Sequence, residues 1–162
     1  MFSTVCKIDT ELVIPASPAQ VWAVFGDFAN WGQWNDFMVL PITPSKVGKP
    51  CRVLFHLDGG CIKRSVHDPE IMVLDKDREL RWKDYRGIIF SQFFRGSHWY
   101  VLEPLPNGHT RFVHGAEMMG LAIPFLQATM AATLKGYKRF NQAMADEVVH
   151  RSRRQTGKRA VA

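Results

Sequence analysis

PFLQATMAATLKGYKRFNQAMADEVVH, residues 124–150, reads as one long helix. Leu126, Met130, Thr133 with Leu134, Tyr137, Phe140 with Asn141, Met144 and Val148 recur at steps of three and four, which puts them on one face. Gln127, Lys135, Lys138, Arg139, Gln142 and Asp146 fall on the other. Pro124 suits the first helical turn, where its missing N–H costs nothing. At 1.5 Å per residue such a helix runs for about 40 Å. Gly136 costs about 1 kcal/mol relative to Ala in mid-helix, and lets something bulky approach. An amphipathic helix alone is marginal in water, so its apolar stripe needs a partner surface.

The chain upstream supplies a sheet. Residues 7–14 alternate polar and apolar as a first strand does. Pro15-Ala16-Ser17-Pro18 ends it, with Ser17 as N-cap and Pro18 at the first helical position. A short helix from Ala19 to Phe25 follows, then a second from Phe28 to about Trp34 with Asp27 as its cap. Five more strands are expected: Cys51–Asp58, Cys61–Leu74 across a Gly59-Gly60 hairpin, Glu79–Tyr85, Phe93–Glu103 and Thr110–Gly120. A short strand near Met38–Leu40 would be a seventh, and residues 87–92 are read as a loop. Strand, two short helices, a run of antiparallel strands and a terminal helix make an α+β plan. A curved antiparallel sheet of six or seven strands would wrap around the helix.

Size and composition agree with one folded domain over residues 1–150: the chain has 162 residues, 46% of them hydrophobic. Cys6, Cys51 and Cys61 are odd in number and lack disulfide-framework spacing, which favours a reducing, cytoplasmic setting. Lys7, Asp9 and Glu11 interrupt the N-terminal apolar residues, so no secretory signal is expected, and no run reaches membrane-span length. The formal charge of +6 comes mainly from Arg151, Arg153, Arg154, Lys158 and Arg159. Without these five, 16 basic side chains face 15 acidic ones. Residues 151–162 are therefore expected to be a basic, solvated, disordered tail, and specific nucleic-acid binding is not expected.

The last hairpin carries the candidate chemistry. If Pro104 and Thr110 flank its turn, Leu102 faces Phe112, Tyr100 faces His114, His98 faces Ala116 and Gly96 faces Met118. With a period of two, these eight share one face. The opposite face holds Arg95, Ser97, Trp99, Glu103, Arg111 and Glu117, and so points outward. Two imidazoles and a phenol then look inward from an otherwise apolar wall. His98, Tyr100 and His114 are the candidate catalytic groups, able to move a proton or polarise a ligand oxygen. A self-satisfied hydrogen-bonded trio in the core accounts for them as well.

Trp31, Trp34, Trp82 and Phe125 are candidates for the rim and floor of a pocket, with ordinary core packing as the alternative. Phe112, Met118, Met130 and Leu134 would add apolar contact, Tyr137 an amphipathic handle and Asn141 a hydrogen bond. No metal is expected: His56, Cys61 and His67 surround one hairpin, but no zinc spacing is present. No nucleophile elbow or phosphate-binding glycine loop occurs, and no cofactor is implied.

Three stretches resemble the START-like, or SRPBCC, superfamily and its helix-grip fold. They are ELVIPASPAQVWAVFGDFANWGQWNDF at 11–37, LDKDRELRW at 74–82 and FRGSHWYVLEPLPNGHTRFVHGAEMMGL at 94–121. Among its members the chain most resembles polyketide cyclase/dehydrase-like SRPBCC domains, although their usual Trp-Asn-Pro reads Trp34-Asn35-Asp36 here. The resemblance implies a cavity between sheet and long helix that holds a hydrophobic small molecule such as a lipid, polyketide or aromatic metabolite. An aromatase/cyclase-type enzyme is the first alternative and a protein-interaction module the second. The superfamily hosts all these activities on one fold.

Overall fold

The computed structural model describes residues 4–59, 62–84 and 92–160. In chain order they form β1 (Val5–Ile14), α1 (Pro18–Phe25), a 3-10 helix (Phe28–Gln33), β2 (Met38–Ile42), β3 (Arg52–His56) and β4 (Arg64–His67). Then come β5 (Glu70–Asp75), β6 (Glu79–Asp84), β7 (Arg95–Pro104), β8 (Thr110–Met119), a 3-10 turn (Ile123–Phe125) and α2 (Gln127–Ala160). Gly60, Cys61, Tyr85 and most of the expected 87–92 loop lie outside the described residues.

Among the described residues eight strands divide into two antiparallel sheets, β1-β8-β7-β6-β5 and β2-β3-β4. The expected strand from Cys61 to Leu74 is two strands, parted at Asp68-Pro69. Proline has no N–H for the ladder and is confined to strand edges, ends and bulges, so the pairing stops here. The sheets meet at this break, where Cys51 N–H donates to Pro69 O at 2.9 Å and Ile71 N–H to Lys49 O at 3.0 Å.

The first helix forms as its sequence dictates. Ser17 Oγ accepts from Gln20 N–H while Gln20 Oε1 accepts from Ser17 N–H at 2.9 Å, a reciprocal capping box ahead of Pro18. Asp27 stands at the N-cap of the second helix, as expected, but its side chain makes no capping bond to the backbone. Its carboxylate takes the Asn30 side-chain amide at 2.8 Å, and the helix is a tight 3-10 one of six residues. The Trp34-Asn35-Asp36 turn closes through Asn35, whose Oδ1 accepts from the N–H groups of Phe37 and Met38 and whose Nδ2 donates to Trp31 O.

The terminal helix lies across the concave sheet with the expected stripe inward: Met130, Thr133, Tyr137, Phe140, Asn141, Met144 and Val148 are buried. Gly136 explains the close fit on the other flank. A Cβ there would lie 2.0 Å from Phe37 Cε2, so the bare backbone is the floor on which this buried ring rests.

Both helix ends differ from expectation. Pro124 belongs to the 3-10 turn, and α2 begins at Gln127. At the other end the helix runs on to Ala160, where a disordered tail was expected from residue 151. Residues 151–156 contain no proline or glycine, and Arg151 extends the docking by donating to Glu147 at 2.7 Å and lying 3.5 Å from Asp27. Among the described residues no helix is long and apolar enough to cross a membrane.

Candidate functional site

The register of the last hairpin is the one its turn implies: Leu102 pairs with Phe112, Tyr100 with His114, His98 with Ala116 and Gly96 with Met118. All of these except Gly96 are buried. The inner face does not meet the helix evenly. Toward the turn, Tyr100 and Phe112 are packed solid against an aromatic cluster. In it Phe25 lies 5.0 Å from Tyr100, Trp31 lies 4.9 Å from Phe140 and Trp34 lies 5.0 Å from Phe140, centroid to centroid. Toward the other end the wall residues are small, Gly96 and Ala116 on the strands and Thr129 and Thr133 on the helix. There a cavity of about 250 Å³ opens.

Trp82, His98, Ala116 and Met118 form its sheet wall, and Leu126, Thr129, Met130, Thr133 and Tyr137 its helix wall. Phe55, Leu57 and His67 close it from the second sheet, with Asp84 and Phe94 nearby. Of the residues expected to contact a ligand, Trp82, His98, Met118, Met130 and Tyr137 line this space. Tyr100, Phe112, His114 and Asn141 lie buried behind its wall, while Trp34 belongs to the aromatic cluster and Leu134 is only half-buried. Phe125 is 88% exposed and does not line this cavity, because the turn at Ile123–Phe125 takes it off the helical stripe.

Tyr137, His98, His114, Asn141 and Thr10 form one chain of hydrogen bonds. Tyr137 Oη lies 3.4 Å from His98 Nδ1, and His98 Nε2 lies 2.9 Å from His114 Nε2. His114 Nδ1 lies 2.7 Å from Asn141 Oδ1, Asn141 Nδ2 donates to Thr10 Oγ1 at 2.9 Å, and Thr10 Oγ1 donates to His114 O at 2.8 Å. A backbone carbonyl can only accept, so the direction of the last bond is fixed and the rest follow from the donor inventory. Asn141 must give its N–H to Thr10 and take one from His114 Nδ1. His114 Nε2 is then a lone pair that accepts from His98 Nε2–H. The remaining His98 nitrogen accepts from the Tyr137 hydroxyl.

Every member of the chain is neutral. Burial pushes His98 well below the usual imidazole range, with the nearby His114 and His67 adding to the effect. Burial likewise takes His114 to about 3, against a smaller opposing pull from the Asn141 hydrogen bond. Tyr137 is pushed well above the usual phenol range, again by burial first. Tyr100, expected beside the ligand, instead donates to Met38 Sδ at 3.4 Å in the solid half.

The cavity also holds a pair that the sequence reading did not join. His67, at the end of β4, places Nδ1 on Asp84 Oδ2, at the end of β6. The two strands are in different sheets, so no strand periodicity or turn spacing links these residues. Cys51, between the sheets, is buried and its thiol is pushed up to about 12, which leaves it inert as a nucleophile.

A family model described as polyketide cyclase/dehydrase and lipid transport matches residues 5–149. No curated protein matches the chain significantly. Among solved structures it resembles the Zhui aromatase/cyclase from Streptomyces sp. R1128, with a TM-score of 0.68 and 13% identity over 91% of this chain and 96% of that one. It also resembles a norcoclaurine synthase point mutant from Thalictrum flavum in complex with a transition-state analogue: TM-score 0.67 and 13% identity over 94% and 99% of the two chains. A ginseng major latex-like protein 151 from Panax ginseng gives a TM-score of 0.67 and 12% identity over 90% and 98%. At such identities the likeness is one of fold, and the helix-grip fold is common to all.

Proposed function

Because the chain belongs to the polyketide cyclase/dehydrase and lipid transport family, we propose that it binds a small hydrophobic molecule in the cavity between β6–β8 and the first turns of α2. The observation that carries this reading is the cavity itself: about 250 Å³, walled by Phe55, Leu57, Trp82, Met118, Leu126 and Met130. Filling it would remove apolar surface from water at roughly 25 cal/mol per Å², before the costs of association. Tyr137 and His98 on its wall are hydrogen-bonded to one another, and few other polar groups line it, as suits a binding site for an apolar molecule. Native mass spectrometry of gently purified protein tests the reading. A co-purified apolar molecule, lost in a variant whose cavity is filled, is the expected result. A protein that stays empty and takes up no added apolar probe would overturn it.

One observation supports a second reading, that of a cyclase-type enzyme. An imidazole held by a carboxylate on an apolar wall is an arrangement suited to general base catalysis, and His67 with Asp84 provides it here. On this reading His67 touches the substrate, and His114, sealed behind the wall, does not. His67→Gln would abolish turnover of an aromatic-polyketide surrogate and leave apolar-probe binding in place. Loss of both together would return His67 to a purely structural role.

A further inference from the structure

We infer that the buried hydrogen-bond chain selects the ligand by polarity: the Tyr137 end of the cavity takes an apolar molecule bearing a hydrogen-bond donor, a hydroxyl or phenol, in preference to one bearing only a carbonyl. This rests on the cavity being a ligand site, as proposed above.

The argument starts far from the ligand. Thr10 has one hydroxyl hydrogen, and it is spent on His114 O at 2.8 Å. That fixes the Asn141 amide, which fixes the His114 tautomer, then the His98 tautomer. The chain ends on Tyr137, whose hydroxyl hydrogen is committed inward to His98 Nδ1. Tyr137 lines the cavity, and a ligand that reaches its oxygen there meets only lone pairs. Turning the hydroxyl round to serve a ligand carbonyl would leave His98 Nδ1 buried with no donor, a cost a bound ketone cannot recover. A ligand hydroxyl asks for no such rearrangement. It donates to Tyr137 Oη and extends the chain by one bond.

One neighbour points the same way: Thr133 Oγ1 gives its hydrogen to Thr129 O at 2.9 Å. Thr129 and Ser65 also line the cavity, and their hydroxyls rotate to suit either kind of ligand, so the bias comes from Tyr137.

The test compares 1-tetralol with 1-tetralone, which share a carbon skeleton and differ at one oxygen, by calorimetric titration of the whole chain. The alcohol should bind about tenfold more tightly or better. Thr10→Val removes the anchor, frees the Asn141 amide to turn over, and should bring the ratio toward one. Nitrogen NMR of the unsubstituted protein supplies a reading independent of any variant: His98 protonated on Nε2 and His114 on Nδ1. The reversed tautomers, or equal affinity for both probes, would overturn the inference while the binding site stood. Binding of neither probe would remove the site and the inference together.

Discussion

His98 Nε2 and His114 Nε2 lie 2.9 Å apart, a separation at which one nitrogen holds the shared hydrogen and the other a lone pair. The rings are nearly coplanar in tilt, 17° apart, and His114 in turn stacks on Tyr137 at 3.9 Å between centroids. Two imidazoles so placed cannot both be charged, and neither has a carboxylate facing it within the hydrogen-bond chain. They behave as neutral spacers that carry direction from the strand to the helix.

Stability should therefore fall as the solution turns mildly acidic. Both histidines have folded-state values depressed below an ordinary 6.5, so below that value the unfolded chain binds protons that the folded one refuses. The contribution is complete above 6.5 and is lost as pH drops toward the folded values, about 3 for His114. The slope is on the order of 1.4 kcal/mol per pH unit for each histidine. Urea midpoints between pH 7.5 and pH 5, above most carboxylate titration, measure it. A flat profile would mean that the rings accept protons without unfolding.

Asn141→Leu keeps the volume of the side chain and cuts the hydrogen-bond chain in the middle. It leaves His114 Nδ1–H and Thr10 Oγ1 without the partners they now have. A loss of about 1–3 kcal/mol is expected, read as a lower urea midpoint with an unchanged slope. No loss would show that water replaces the amide at no cost.

Gly136→Ala sets two effects against each other. Helix propensity favours alanine by about 1 kcal/mol, but the new methyl would sit 2.0 Å from Phe37 Cε2 in a fully buried contact. Overpacking of this kind costs about 1–3 kcal/mol or more, so the substitution should destabilise, and Phe37→Leu in the same chain should restore part of the loss. A more stable Gly136→Ala protein would refute the packing argument.

Ala116→Leu grows a side chain into the cavity from the sheet wall. Because it enters space that protein atoms leave free, stability should stay within about 1 kcal/mol of the parent. Binding of 1-tetralol should weaken at least about tenfold, since the ligand and the new isobutyl group compete for one volume. Calorimetry and a urea titration on the same sample check both halves.

Much of this could be read in the amino acids alone, and the reasons are local. Pro104-Leu105-Pro106-Asn107-Gly108 leaves the last hairpin one sensible turn, so its register and inward face follow by counting. Ser17 and Gln20 stand at capping-box spacing, and the stripe from Met130 to Val148 keeps its period. The break at Asp68-Pro69 also had its signal in the proline. What periodicity does not carry is depth along the groove. It shows that Tyr100 and His98 point the same way. It does not show that Phe25 and Trp31 fill the space above one while Gly96 and Ala116 clear the space beside the other. Hence Tyr137, on the helix, lines the cavity, and Tyr100 does not. His67 and Asp84 escape for a different reason: they meet across two sheets, 17 residues apart, and no short-range pattern encodes the pairing.

The ring cluster around Phe140 gives the hollow a stopper as well as a wall. A guest cannot thread between Trp31 and Trp34, both packed on Phe140, to emerge beyond them. Molecules longer than the chamber must leave their tails outside it, whatever their affinity for its lining. Among a homologous series of alkyl or polyketide chains, the gain from each added carbon should stop abruptly at the length where the leading end meets that stopper.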